Sequence, residues 1–380
     1  MLLLNTEDAR AAAQRRLPRI FFDYIDGAAS TEATARANEA DFARWRLEQR
    51  VMTGAPKPNL ATTFLGETHG LPFMLGPVGF LGLYRGNGEV QAARAAAAAG
   101  VPFCLSSFSI ASINRVAREA PGRNMFQLYV LTDRALGAEM LAAARQAGVE
   151  TIFLTVDCAI TGIRERDVRN GFRSLTSLTP SLLARLARKP GWCLDMLRHG
   201  KPRVEALATH PEFGNSVLAQ AAALSSRIDQ SLSWDDLAWV RENWPGKLVV
   251  KGLLCADDAR RAADAGVSAI VISNHGGRQL DGASSTIDRL PEIAAAAHGL
   301  ELLIDSGFRR GADIVKALAL GASGVLLGRA YAYALAANGG TGVNQIISAL
   351  KAEIEIALAL MGCPDIPTLR ADGARYVRPA

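Results

Sequence analysis

The chain has 380 residues, of which 49% are apolar and 21% charged, a composition that fits a globular protein with a large core and excludes a disordered or fibrous chain. A net charge of only +5 carries no general affinity for nucleic acid. The five cysteines, Cys104, Cys158, Cys193, Cys255 and Cys363, are odd in number and show no C-x-x-C spacing, which predicts reduced thiols in a cytosolic compartment, no disulfide framework and no metal site.

In chain order, the opening MLLLNTEDAR is too short for a signal-peptide core or a membrane span, and no apolar run of about twenty residues follows. A transmembrane helix is therefore not expected, while attachment to a membrane surface stays open. Residues 1–70 read as a helical extension. Short apolar runs then alternate with Ala-rich helical stretches. The runs are FMLGPVG (73–79), PFCLSS (102–107), MFQLYV (125–130), TIFLTVD (151–157), KLVVKG (247–252), AIVISN (269–274), ELLIDS (301–306) and GVLLGR (324–329). Continuous apolar runs of this length suit strands covered on both faces. The stretches between them, such as GEVQAARAAAAAG and ADDARRAADAG, end in the usual glycine stop. Eight such units predict a (β/α)8 barrel over 71–365 within a single domain of 1–380, with a doubly wound sheet as the second choice. Roughly ninety residues separate the fourth and fifth strands, far more than an ordinary connection, and their basic part is placed at 168–225.

Polar residues at the C-terminal strand ends of such a barrel converge on one face. Here they are Pro77-Val78-Gly79, Ser106, Gln127 and Tyr129, Thr155 and Asp157, Lys251, Ser273-Asn274-His275, Asp305-Ser306-Gly307 and Gly328-Arg329. Gln127 and Tyr129 are two apart, as are Thr155 and Asp157, so each pair projects to one side of its strand. Glycines and arginines precede helices after the seventh and eighth strands, in DSGFRRGADIVK and LLGRAYAYAL, which predicts an anion site of phosphate type. Lys251 fits either a Schiff-base lysine or a fixed cation beside an electron-rich cofactor. Asp157 fits a carboxylate that orients a histidine.

The stretch SNHGGRQLDG (273–282) sets His275 and Arg278 on one glycine-rich turn. Together with FFDYIDGAA (21–29), GPVG (76–79), FQLYV (126–130), TVDCAITGIRERD (155–167), VKG (250–252), DSGFRRG (305–311) and LLGRAYAYAL (326–335), it resembles the FMN-dependent 2-hydroxy-acid dehydrogenase and oxidase family, in the family's order and over about residues 5–365. The resemblance implies an FMN enzyme that oxidises an (S)-2-hydroxy acid to the 2-oxo acid. It makes His275 the base, taking a proton from carbon two or from the hydroxyl, with Asp157 behind it. Arg278 and Arg164 would hold the substrate carboxylate as planar forks. Tyr24 and Tyr129 would donate to substrate oxygens, and Lys251 would be the cation near the flavin N1–C2=O edge. Ser106, Gln127, Thr155, Ser273 and the backbone of Pro77, Val78 and Gly79 would contact the ring. Asp305, Gly307, Arg309, Gly328 and Arg329 would hold ribityl and phosphate.

Within that family, Gly79 stands where oxygen-using members usually carry Ala. The resemblance is to bacterial membrane-associated (S)-mandelate and L-lactate dehydrogenases, which implies electron transfer to a quinone in preference to a soluble oxidase making hydrogen peroxide. No upstream haem domain is expected. From Arg164 to Arg203, ten basic residues face three acidic ones, a net +7 within a chain of +5. They are interleaved with SLLARLAR and WCLDMLRHG, a pattern suited to an anionic membrane surface. A peripheral position on the inner face of the cell membrane follows, and a closed homotetramer accords with the family. Phe108 falls in the implied substrate pocket and inclines the reading to aromatic or larger hydroxy acids. A Schiff-base aldolase acting on a sugar phosphate would explain Lys251 and the anion site, but not His275, Arg278 and Arg164 together. A flavin carrier without catalysis would hold FMN that no hydroxy acid bleaches.

Overall fold

Eight strands close into a parallel barrel in the computed structural model of the protein, which describes every residue except 55–56, 173–179, 201, 215 and 298, and Ser181 by its backbone alone. They are β1 (Phe73–Leu75), β2 (Phe103–Ser106), β3 (Asn124–Leu128), β4 (Thr151–Thr155), β5 (Lys247–Leu253), β6 (Ala269–Ile272), β7 (Glu301–Ile304) and β8 (Gly324–Leu327). Each pairs with the next, and β8 closes onto β1. Except for β5, which runs one residue past its apolar run, the strands stop one to four residues before the runs do, because the last residues of those runs turn over the barrel mouth.

Inside the barrel, every strand contributes an inward side chain: Met74, Cys104, Met125, Phe153, Val249, Val271, Leu303 and Leu326 pack as one cluster. Phe64 and Leu65 complete this cluster from below. They belong to an antiparallel hairpin, Thr62–Phe64 with Glu67–His69, whose two-residue turn Leu65-Gly66 has φ of +52° and +71°, the left-handed geometry that matches strand twist in tight hairpins. Leu65 is fastened at both backbone atoms: its N–H donates to Glu301 at 2.8 Å and its C=O accepts from Lys247 Nζ at 2.5 Å. The expected helical extension is thus helical only at first, over Thr6–Arg16, Arg19–Asp26 and Ala33–Ala40. Beyond these the chain adds the hairpin plug and a strand, Trp45–Leu47, paired with the C-terminal Val377–Pro379.

The insertion between β4 and β5 carries helices Glu165–Asn170, Pro180–Ala187, Pro190–His199, Val217–Ser226 and Asp236–Asn243. Helix Pro190–His199 is tied to the barrel mouth. Trp192 is buried against Phe21 and donates from Nε1 to the Leu83 carbonyl at 2.8 Å. Asp195 accepts from the Gly86 N–H and from Arg16, each at 3.1 Å. A Trp192→Ala variant removes that anchor, at a cost of about 3–5 kcal/mol for a buried aromatic. Limited proteolysis is expected to cut within 180–215 much faster in the variant than in the parent, with the barrel fragment intact; equal cutting rates would show that the anchor contributes little.

The basic character of this segment is narrower than its count. Arg166 is paired with Asp26 and Glu32, Arg169 with Glu165, and Lys189 donates to the backbone at Gln14 and Arg15. Arg185, Arg188, Arg198 and Arg203 are exposed, and so are Leu183, Leu194 and Leu197. Arg173 and Lys201 lie outside the described residues. Among the described residues no helix is long and apolar enough to cross a membrane.

Candidate active site

His275 lies at the mouth of β6 with φ +57°, followed by Gly276 and Gly277 at +66° and +74°. Three consecutive left-handed residues make a turn that side chains beyond Cβ resist. Space demands glycine as well: a Cβ on Gly276 would sit 2.6 Å from Arg329 Nη1, and one on Gly277 would sit 2.5 Å from the Ala35 nitrogen. The turn aims the imidazole at Asp157, with Nδ1 2.9 Å from Oδ1. β5 bulges at Gly252 to admit that carboxylate, since a Cβ there would lie 2.7 Å from Asp157 Cβ. Burial alone would raise the Asp157 pKa, but His275 and Lys251 outweigh it and hold the carboxyl below the usual range.

Lys251 is buried at the end of β5, 3.0 Å from Asp305 and 2.9 Å from Ser273 Oγ, to which it donates. Burial favours the neutral amine, yet Asp305 and Asp157 prevail and push the pKa up. A Schiff-base lysine needs the opposite shift, which does not favour the aldolase reading. On the adjoining wall, Gln127 Oε1 accepts from Ser106 Oγ and from the Ser107 N–H, at 3.1 and 3.3 Å. Gln127 Nε2 and Thr155 Oγ1 are buried without a hydrogen-bond partner among the described residues. Such donors are costly when left unmet. Tyr129 is kept a phenol by burial, which drives its pKa far up.

Two half-buried arginines converge on the end of helix Arg19–Asp26. Arg278 Nη1 donates to the Tyr24 and Gly27 carbonyls at 2.6 and 2.8 Å. Arg329 donates to Ile25, Gly276 and Gly27 carbonyls at 3.0, 2.9 and 2.9 Å. The negative end of a helix dipole and its orphan carbonyls thus receive both guanidinium groups. Burial lowers the Arg329 pKa to about 10, which leaves it cationic at neutral pH. The Tyr24 ring lies beneath Arg278 and Arg164, whose guanidinium carbons stand 4.9 and 5.5 Å from its centroid.

Asp26 holds this helix end in place. It takes Arg10 at 2.5 and 2.8 Å, Arg166 at 2.7 Å and the Tyr333 hydroxyl at 2.8 Å. Burial raises its pKa, but Arg10, Tyr333 and Arg166 together bring it from 3.8 down to about 2. A depressed carboxylate adds stability that is complete above its unfolded pKa and is lost as pH falls through the folded value. Asp26→Asn is therefore expected to cost roughly 2–3 kcal/mol near neutrality, at 1.36 kcal/mol per unit. In urea unfolding the gap between parent and variant should narrow as pH drops from about 4 towards 2; a gap independent of pH would contradict the ion-pair origin.

One cleft at the C-terminal strand ends is lined by Tyr24, Pro77, Val78, Gly79, Ser106, Phe108, Gln127, Tyr129, Thr155, Arg164, Lys251, His275, Arg278, Asp305, Gly307, Arg309, Gly328 and Arg329. Asp157 and Ser273 do not line it. Asp157 stands behind His275, and Ser273 Oγ, 1% exposed as a residue, accepts from Lys251 and from the His275 N–H. Ser273 thus braces two cleft residues where a direct ring contact was expected. Arg309 faces the cleft but also pairs with Glu39 at 2.7 Å. Several residues at the site have no signal in sequence spacing. Asn38 and Asn274 exchange amide hydrogen bonds at 2.9 and 2.7 Å beneath the His275 turn, and Cys158 places its sulfur 3.3 Å from His275 Nδ1.

The family model for FMN-dependent dehydrogenases matches residues 13–375. The chain belongs to the FMN-dependent dehydrogenase family. Among its relatives are an L-lactate dehydrogenase of a Caulobacter species, 44% identical with 95% of this chain and 96% of the relative covered, and an (S)-mandelate dehydrogenase of Pseudomonas putida, 43% identical with 97% and 93% covered. A crystal structure of a monotopic membrane protein, (S)-mandelate dehydrogenase, superposes with a TM-score of 0.94 at 42% identity, with both chains covered in full.

FMN is the cofactor of this FMN-dependent dehydrogenase, and the cleft suits it. The unmet donors of Gln127 and Thr155 match the carbonyl and ring-nitrogen acceptors of an isoalloxazine. The Lys251 ammonium sits on the same wall. Arg309, Arg329 and the glycine turns after β7 and β8 form a cationic end for a phosphate. Gly307 cannot carry a side chain there, since its Cβ would lie 2.0 Å from the Asn38 carbonyl.

Proposed function

We propose that this chain oxidises an (S)-2-hydroxy acid of the mandelate or lactate type to the 2-oxo acid and passes the electrons to a quinone at a membrane surface. The observation that carries the reading is the pairing of His275 Nδ1 with Asp157 at 2.9 Å in the cleft that also holds Arg278 and Arg164. FMN, when bound, accepts the two electrons released from the substrate carbon. The protein's residues do the rest. Asp157 holds His275 by Nδ1, which leaves Nε2 to take a substrate proton, and its charge stabilises the imidazolium that results. Arg278 enters the cleft pre-aimed, because the Tyr24 and Gly27 carbonyls fix one side of its fork; with Arg164 it grips the carboxylate. Tyr24 and Tyr129 donate to substrate oxygens. Lys251 would stabilise negative charge on the ring, Ser106, Gln127 and Thr155 with the Pro77–Gly79 backbone would hold the ring edges, and Asp305, Gly307, Arg309, Gly328 and Arg329 would hold ribityl and phosphate. Phe108 stands edge-on to Tyr129 and Phe80, at centroid distances of 5.4 and 5.7 Å, an aromatic corner that favours a phenyl-bearing substrate.

Three further features support quinone as the acceptor and the membrane as the location. The relatives named above are dehydrogenases, and one is described as monotopic. The exposed Leu183, Leu194 and Leu197 lie among Arg185, Arg188 and Arg198, which suits the anionic inner face of the cell membrane. Gly79 leaves no methyl against Phe108; a Cβ there would stand 3.1 Å from the Phe108 Cβ. The homotetramer belongs to the same proposal and is measurable by light scattering. Steady-state turnover decides the acceptor. Rates with a soluble quinone are expected to exceed rates in air by well over tenfold, with the protein pelleting on anionic vesicles in low salt. Fast peroxide production without quinone, or no pelleting, would favour a soluble oxidase.

A further inference from the structure

Beside the presumed base stands a set of ligand atoms that hydroxy-acid oxidation does not use. Cys158 Sγ lies 3.3 Å from His275 Nδ1 and 3.4 Å from Asp157 Oδ1, and Nδ1 lies 2.9 Å from Oδ1. Among the described residues these three bring one ligand atom each within 4.8 Å of one another. A tetrahedral Zn2+ with bonds of about 2.0–2.1 Å to nitrogen and oxygen and about 2.3 Å to sulfur holds such atoms about 3.3–3.6 Å apart. The sulfur edges are thus about 0.2 Å short of the required length and the Nδ1–Oδ1 edge a few tenths of an ångström short, so a small outward shift of all three atoms admits the ion. The second carboxylate oxygen, Asp157 Oδ2, is buried and has no hydrogen-bond partner among the described residues. That unmet acceptor, on the same carboxylate, favours a cation.

We propose that Cys158, His275 and Asp157 form an inhibitory site for a thiophilic divalent cation of the Zn2+ type. Thiolate, imidazole and carboxylate select such an ion over Mg2+. The fourth coordination position is left to water. Binding displaces the thiol proton to solvent and leaves the imidazole neutral. Coordination through Nδ1 confines the remaining ring proton to Nε2, the nitrogen that would otherwise accept the substrate proton. The metal thus blocks the base without displacing FMN. Binding stands independently of the proposed function, whereas inhibition rests on that reading of His275.

Equilibrium dialysis of the FMN-loaded protein against Zn2+ tests the site, and anaerobic flavin reduction by the hydroxy acid tests its effect. One Zn2+ per chain is expected that Cys158→Val, Cys158→Ser and His275→Gln all lose, each checked for full FMN content. Weak surface binding, for example at His210 beside Glu139 and Glu212, remains in all of them and is subtracted. Binding should weaken as pH falls, because the thiol must give up its proton, and millimolar Mg2+ should not compete. At zinc saturation the parent's reduction rate should fall by about a hundredfold or more, the lower range for loss of a positioned base, and recover with chelator. Unchanged zinc affinity in both Cys158 variants, or no zinc in the parent beyond what they bind, would overturn the site. Stoichiometric zinc that leaves the reduction rate unchanged would instead uphold the site and remove His275 from its role as base.

Discussion

His275→Gln is expected to keep FMN bound and to slow anaerobic flavin reduction by a hydroxy acid by about 10⁴-fold, the upper range for loss of a positioned general base. The substitution isolates the proton-accepting step. Glutamine can still donate to Asp157, and its backbone keeps the N–H that Ser273 accepts. No cofactor-facing atom is removed from Lys251, Gln127 or the arginines. The effect should fall on the rate constant for reduction, with substrate binding, read from flavin spectral perturbation, changed by only a few fold. Near-normal reduction in this variant would remove His275 from the chemistry.

Arg278→Lys comes second in size. The side chain is half-buried, and desolvation, with Arg164 nearby, lowers its pKa, so the site already bears the expense of a partly desolvated guanidinium. Lysine keeps the charge but loses the fork, and with it the bonds to the Tyr24 and Gly27 carbonyls that aim the group. Charge-assisted bonds are worth about 1.5–3 kcal/mol each, so losing two lowers kcat/KM by roughly 10²–10⁴-fold. The loss should be much smaller for the amide of the same acid, which lacks the carboxylate. An equal loss on acid and amide would place the damage in the fold of the Tyr24–Gly27 turn and not in carboxylate recognition.

The order and number of barrel strands were legible because all eight are apolar on both faces, so each appears as an unbroken run. Strand ends were misjudged towards the C-terminus because residues such as Asp157 and Ser273 leave the ladder to face the site or its support. The hairpin Thr62–His69 had no comparable signal: its strands are three residues long, and its contribution comes from Phe64 closing the barrel floor. The cleft itself could be read from strand ends because the topology brings those ends together whatever lies between them. What supports it could not. Backbone carbonyls of Tyr24, Ile25 and Gly27 have no side-chain signature, and Asn38 meets Asn274 across 236 positions. Cys158 shows the same limit: its neighbour His275 lies 117 positions away. Charge counting overstated the basic insertion, because Arg166 is neutralised by Asp26 and Glu32, partners that only the fold supplies.

The most direct test of hydroxy-acid oxidation at this cleft is anaerobic titration of the FMN-loaded protein with the separate enantiomers of mandelate and lactate. The expected result is stoichiometric bleaching of the oxidised flavin by the (S) enantiomers and none by the (R), with release of the 2-oxo acid. Fully bound FMN that no hydroxy acid in the panel reduces would contradict it.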